Sequence, residues 1–115
     1  MTAQLKKDTW TEVCQLDDLV PELGVAVRLG NTQVALFYWP ETAEVFALDN
    51  TDPFSAANVI ARGIVGDLQG KRVVASPLYK QHFCLETGQC LEDESVSLAT
   101  WPARIQEGQV LIQHP

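Results

Sequence analysis

Short runs of alternating apolar and polar residues recur along this sequence, and turn-forming residues separate them. Trp10–Cys14 alternates in the way expected of a strand with one buried face. Val25–Leu29 and Gln33–Trp39 are two β-rich runs joined around Gly30-Asn31, a pair that can supply the positive φ angles of a tight hairpin. The first third of the chain is therefore predicted to be a strand followed by a hairpin.

The same pattern continues to the end of the chain. Glu44–Asp49 is predicted as the third strand of a meander, with Val45 and Ala47 on one face and Phe46 and Leu48 on the other. Further strands are predicted at Lys71–Ala75 and Gln81–Leu85, and in a terminal hairpin of Ala103–Gln106 and Gln109–Gln113 around Glu107-Gly108.

Helical character is confined to two short segments. Leu16–Leu19 is compatible with one turn before Pro21 interrupts it, and Ser55–Ala61 is predicted as a short helix with Ser55 as N-cap and Gly63 as its stop. Many short strands without strand-helix alternation predict an all-β fold with one or two short helices, arranged as an antiparallel sandwich or barrel.

Composition limits the size and the partners of this fold. The 115 residues, 46% of them hydrophobic, fit a single domain over residues 1–115 with a core at about 9–113. A net charge of -7 opposes binding to nucleic acid or to an anionic membrane. No apolar signal-peptide core follows Met1–Lys7, and no apolar run reaches transmembrane length. The three cysteines are an odd and sparse set, which fits reduced thiols better than a secreted disulfide framework. A cytoplasmic location is expected.

Candidate catalytic residues are scarce. Of the two histidines, His114 lies beside the C-terminus, where order is least expected, and no nucleophile elbow accompanies His82, which disfavours a hydrolase. The glycines at 63, 66 and 70 match neither a dinucleotide fingerprint nor a Walker motif and are expected to be turn glycines.

Metal sites are similarly weak. His82, Cys84 and Cys90 could meet across a hairpin, but no fourth ligand or Cys-x-x-Cys accompanies them, so ordinary strand positions are favoured. The acidic run Glu92–Glu94 lacks the spaced oxygen ligands of a calcium loop and is expected to be solvated. No catalytic, cofactor or metal site is predicted.

Two segments between Phe46 and Gly88 carry a family resemblance. They read Phe-Ala-Leu-Asp-Asn-Thr-Asp-Pro-Phe-Ser and Ala-Ser-Pro-Leu-Tyr-Lys-Gln-His-Phe-Cys-Leu-Glu-Thr-Gly, and they resemble the two loops of a Rieske domain. In cluster-binding Rieske proteins two Cys and two His in these loops hold a [2Fe-2S] centre. Asp52, Phe54, Ser76 and Tyr79 stand at those places, with Pro53 retained. Carboxylate and hydroxyl oxygens do not replace thiolates on iron, and Phe has no lone pair.

The ligandless loops, together with Arg-Gly-Ile-Val-Gly-Asp, are similar to the small subunits of NAD(P)H-dependent assimilatory nitrite reductases over Trp10–Ile112. The resemblance implies a large subunit that carries siroheme, FAD and an iron-sulfur cluster and reduces nitrite to ammonium. It implies a small subunit without cofactor or catalytic residues. A scaffold or regulatory module for another oxidoreductase remains the alternative, and an electron-transfer ferredoxin ranks last because it would need the missing ligands.

Packing is expected to replace the metal as the link between the loops. Phe54 and Tyr79 are predicted to pack together or to share an apolar pocket, while Asp52 accepts hydrogen bonds from backbone amides or Ser76. The alternative is that both aromatic rings are plain core residues. By analogy with cluster-bearing relatives, the loop tips Pro53, Phe54, Tyr79 and Lys80 are candidates for docking on the large subunit.

Overall fold

Ten β-strands form most of the regular structure in residues 9–114, the part of the chain that the computed structural model describes. In chain order they are β1 (Thr9–Gln15), β2 (Val25–Leu29), β3 (Thr32–Trp39), β4 (Glu44–Asp49), β5 (Ile64–Leu68), β6 (Lys71–Ala75), β7 (His82–Cys84), β8 (Thr100–Trp101), β9 (Ala103–Gln106) and β10 (Gln109–His114). The helical segments are two short 3₁₀ helices, Leu16–Asp18 and Ile60–Arg62. The all-β prediction is confirmed.

The strands pair into three antiparallel sheets. The orders are β9-β10-β1, β2-β3-β4-β8 and β5-β6-β7. Both predicted hairpins are present, and glycine supplies the left-handed conformation in each, with φ 62° at Gly30 and 78° at Gly108. Local turn chemistry was therefore enough to locate these hairpins.

The four-stranded sheet is buried on both faces. Along β4, Val45 and Ala47 belong to one hydrophobic cluster, whereas Phe46 and Leu48 belong to the other, which confirms the predicted pleat direction. The cluster with Phe46 and Leu48 extends toward the β5-β6-β7 sheet through residues such as Phe83. The central sheet thus separates two cores, and its strand β4 fixes where the loop that follows it begins.

The predicted helix at Ser55–Ala61 is wrong. This stretch is a turn in which Ala56 has φ 62°, and only Ile60–Arg62 is helical, ending at Gly63. Asn50 accounts for the difference, because its backbone oxygen and its side-chain Oδ1 accept hydrogen bonds from the Ile60 and Ala61 amides at 3.1 and 2.7 Å. Those amides are therefore not available to a longer helix.

Three other expectations need correction. The pattern of apolar and polar residues did not predict β5 or β8. Gly66 is not a turn glycine, because it lies within β5 and pairs with Val73. His114 is ordered, pairing with Thr9 in the sheet and lying with Nε2 2.6 Å from Thr11 Oγ1. None of the helices in residues 9–114 has the length and apolarity needed to span a bilayer.

The turn after β7 provides a stability test. Gly88 has φ 79°, and a Cβ placed on it would lie 2.1 Å from the backbone oxygen of Leu98. Gly108 has nearly the same φ, but a Cβ there meets nothing within 4 Å. Gly108→Ala should lose roughly 1–2 kcal/mol of unfolding free energy for the left-handed conformation alone, and Gly88→Ala should lose clearly more. Equal losses in urea denaturation would contradict this account of Gly88.

Candidate functional site

Two loops meet at one end of the β5-β6-β7 sheet. The first loop is residues 50–58, which follows β4, and the second loop is residues 76–81, which joins β6 to β7. Asp52 in the first loop and Ser76 in the second are both buried, with 0% and 1% of their surface exposed. The Ser76 hydroxyl donates a hydrogen bond to Asp52 Oδ2. One buried side-chain pair therefore connects the two loops.

Asp52 also organises its own loop. Its second carboxylate oxygen, Oδ1, accepts the Phe54 amide at 2.8 Å. Its backbone N–H donates to the Ala57 oxygen at 2.8 Å, and its backbone oxygen accepts from the Ala56 amide at 2.7 Å. The prediction that Asp52 accepts hydrogen bonds from a backbone amide and from Ser76 is confirmed, and both carboxylate oxygens have partners.

Ser76 closes the second loop in a similar way. Its amide donates to the Gln81 oxygen at 2.9 Å, and its backbone oxygen accepts from the Lys80 amide at 3.1 Å, with Lys80 in the left-handed region at φ 67°. These bonds across the base leave Leu78 and Tyr79 exposed at the tip. Leu78 was not among the predicted docking residues, although an apolar side chain directly after Pro77 in a turn was a signal for it.

The two loop aromatics do not pair with each other. Phe54 lies against Phe83, with the ring centroids 6.4 Å apart and the planes at 41°. Phe54 is 37% exposed and Tyr79 is 59% exposed, so the alternative that both are core residues is wrong. Among residues 9–114 no ring contact joins Phe54 to Tyr79, so their predicted packing on one another is also wrong.

The residues of the two loops do not fit a [2Fe-2S] cluster. Asp52 and Ser76 bond directly to each other, and neither loop contains a cysteine or a histidine. The three cysteines are free thiols at other places in the fold: Cys14 on β1, Cys84 on β7 and Cys90 beyond it. Within residues 9–114 no group of three or more His, Cys, Asp or Glu side chains is arranged to hold a metal ion.

His82, Cys84 and Cys90 occupy strand and bridge positions. His82 Nδ1 lies 2.6 Å from Glu92 Oε2, and the His82 amide donates to Glu92 Oε1 at 2.8 Å. Burial alone would raise the pKa of Glu92, but these hydrogen bonds from His82 hold it below its usual value. The pair connects the start of β7 to the acidic run Glu92–Glu94.

Arg72 connects the sheet that carries the second loop with the central sheet. Its guanidinium lies 2.9 Å from Glu44 Oε1, and its Cζ lies 5.4 and 4.9 Å from the ring centroids of Trp39 and Phe46. Hydrogen bonds from the Thr42 hydroxyl and from Arg72 lower the pKa of Glu44. No sequence pattern pairs residues 28 positions apart in this way, and the contact was not predicted.

The chain is similar to known proteins along most of its length. Residues 9–113 match the model of the Rieske-like [2Fe-2S] domain. The nitrite reductase (NADH) small subunit of Escherichia coli (strain K12) is 43% identical over 104 residues, which cover 90% of this chain and 96% of that protein. A crystal structure assigned to an NADH-dependent nitrite reductase small subunit from Mycobacterium tuberculosis has 44% identity and a TM-score of 0.89, covering 96% of this chain and 98% of the other.

A further match lies inside a larger protein. The nitrite reductase [NAD(P)H] large subunit of Klebsiella oxytoca is 39% identical over 103 residues. The match covers 90% of this chain but only 11% of that protein. A region similar to this chain is therefore one part of that longer polypeptide.

The bond between the loops predicts a selective loss of stability. Ser76→Ala should leave Asp52 Oδ2 buried without its hydroxyl partner and lower the unfolding free energy by about 1–3 kcal/mol. Ser95→Ala is the matched control. Like the Ser76 hydroxyl, the Ser95 hydroxyl donates to a carboxylate, in this case Asp93 Oδ1 at 2.6 Å, but Ser95 is exposed. The control should change by no more than about 0.5 kcal/mol. If urea denaturation gave equal losses of unfolding free energy for the two variants, the Asp52–Ser76 bond would not be a main contributor to the stability of the fold.

The Arg72 contact predicts a pH dependence. A carboxyl group whose folded pKa is lowered stabilises the fold above its unfolded pKa, about 4.3 for Glu, and this stabilisation disappears as the pH falls through the folded pKa. Glu44→Gln should therefore cost up to about 1 kcal/mol at neutral pH, since the pair is partly exposed, and much less at about pH 3. Glu41→Gln, in the exposed turn before β4, is the control. A loss of unfolding free energy in Glu44→Gln that is the same at both pH values would contradict the assignment of this stability to the Arg72–Glu44 contact.

Proposed function

Because the chain belongs to the Rieske-like domain family, and within it to the nitrite reductase [NAD(P)H] small subunits, we propose that it is a cofactor-free accessory subunit that docks on a large subunit. The reduction of nitrite to ammonium, in nitrate assimilation, would take place on that partner. We further propose that residues 1–115 act as one domain in the cytoplasm, with a core at about 9–113.

The observation that carries the cofactor-free assignment is the bond between Asp52 and Ser76. The resemblance of the two loops to those of a Rieske domain implies that these residues take the places of the two cysteine ligands, and their side chains are buried and bonded to one another. A carboxylate and a hydroxyl are hard oxygen ligands, whereas Fe-S clusters are held by soft thiolates. The loops thus keep their shape by hydrogen bonding, and this chain contributes no redox centre.

Docking on a large subunit is supported by the Klebsiella oxytoca protein. There, a region similar to this chain lies within the polypeptide named as the large subunit, so the two modules are held together covalently. A covalent connection raises the effective concentration of one module near the other, and separate chains need a docking surface to achieve the same proximity. We propose that this chain supplies such a surface.

The loop tips are the proposed contact. Pro53, Phe54, Tyr79 and Lys80 are all exposed in the structure, which leaves them available to a partner. Siroheme, FAD and an iron-sulfur cluster would reside on the large subunit and supply the electron transfer and the nitrite chemistry. The part of this chain would be to bind that subunit and hold it in an active arrangement.

The test is NADH-dependent nitrite consumption by the purified large subunit, with and without this chain, together with a pull-down and iron analysis of this chain alone. The expected result is co-purification, a higher rate of nitrite consumption with the chain present, and no stoichiometric iron in it. Absence of both binding and a rate effect would overturn the subunit assignment. Capture of a different oxidoreductase would instead favour a scaffold role, and bound iron and sulfide would overturn the cofactor-free assignment.

A further inference from the structure

The end of the molecule that carries the two loops exposes more apolar surface than their tips alone. Six large hydrophobic side chains within residues 9–114 are strongly exposed, and four of them belong to this end: Phe54 (37%), Ile64 (78%), Leu78 (48%) and Tyr79 (59%). Ile64 begins β5 and pairs with Ala75, the residue directly before Ser76. We call this surface, with Pro53, Arg62 and Lys80, the loop end.

The charge of the loop end is opposite to that of the whole chain. In residues 50–64 and 75–82 the only carboxylate is that of Asp52, which is buried. Arg62 and Lys80 are exposed, and neither forms an ion pair with any residue in 9–114. His82 in the same region is held by Glu92. A protein with a net charge of -7 therefore presents one apolar surface that carries two unpaired cations.

The backbone beneath this surface is already fixed. The Asp52–Ser76 bond joins the loops, each loop is closed by backbone hydrogen bonds, and Phe54 rests on Phe83. A surface ordered before binding loses less conformational entropy when a partner covers it. Exposed aromatic and aliphatic side chains on rigid backbone, with cations beside them, are typical of a protein-binding surface.

We propose that the loop end, including Ile64, Leu78 and Arg62, is the docking surface for the large subunit, and that its counterpart there is an apolar patch bordered by carboxylates. This inference rests on the proposed function and adds the chemistry of the partner's site. Apolar burial supplies the affinity, while Arg62 and Lys80 orient the encounter by attraction to the acidic border. The net charge of -7 opposes approach to an acidic site, and these two cations offset that repulsion at the loop end.

The experiment measures association and dissociation of the full chain on the immobilised, cofactor-loaded large subunit at low and high salt. Leu78→Ala with Tyr79→Ala should weaken the affinity about tenfold or more, mainly through faster dissociation. Arg62→Glu with Lys80→Glu should slow association by about tenfold at low salt, and the difference should shrink at high salt because screening removes it.

Two controls lie outside the loop end. Val20→Ala removes another exposed apolar side chain (48%), which follows Leu19 of the cluster that contains Val45 and Ala47, and Lys71→Glu reverses an exposed charge at the opposite end of β6. Both should bind like the unmodified chain. Urea denaturation of every variant establishes that the fold is retained, so that a loss of affinity reports on the surface.

The outcomes separate the two proposals. If the unmodified chain does not bind the large subunit, the proposed function fails and the inference fails with it. If it binds and the loop-end variants bind equally well, the docking surface lies elsewhere while the proposed function stands. If the apolar pair weakens binding but charge reversal leaves association unchanged or makes it faster, the partner's site is not acidic and the inference is overturned in that part.

Discussion

The hydrogen bond between Ser76 and Asp52 is the constraint on which the loop region depends. It joins residues 24 positions apart, both of which are almost completely buried. A buried carboxylate is tolerated only when its oxygens are satisfied, and here Ser76 and the Phe54 amide satisfy both. The same bond thus holds the loops together and makes the burial of Asp52 possible.

The rest of the fold gives this bond a rigid base. The central sheet has a hydrophobic cluster on each face, and Phe83, in the cluster with Phe46 and Leu48, packs against Phe54. Arg72 connects the strand before the second loop to Glu44 and Trp39 on the central sheet. The loop positions are therefore determined by both sheets, so the exposed side chains of the loops occupy defined places.

The Rieske-like fold of this chain presents a particular surface at the two loops. Function resides in particular sites and not in the architecture. In this chain Asp52 and Ser76 bond to each other at the base of the two loops, and the loop tips expose Phe54, Leu78 and Tyr79. The apolar, cationic character of the loop end is the feature that the proposed docking uses.

The sequence by itself determined the strands with a period of two and the hairpins at Gly30 and Gly108, because these depend on local backbone preferences. It also determined that the two loops contain neither cysteine nor histidine. Only the tertiary structure decided that Asn50 takes the amides of the predicted helix, that Phe54 packs on Phe83 and that Arg72 reaches Glu44. These contacts join residues that are distant in the chain. Their partners become neighbours only once the sheets have assembled, so no local pattern records them.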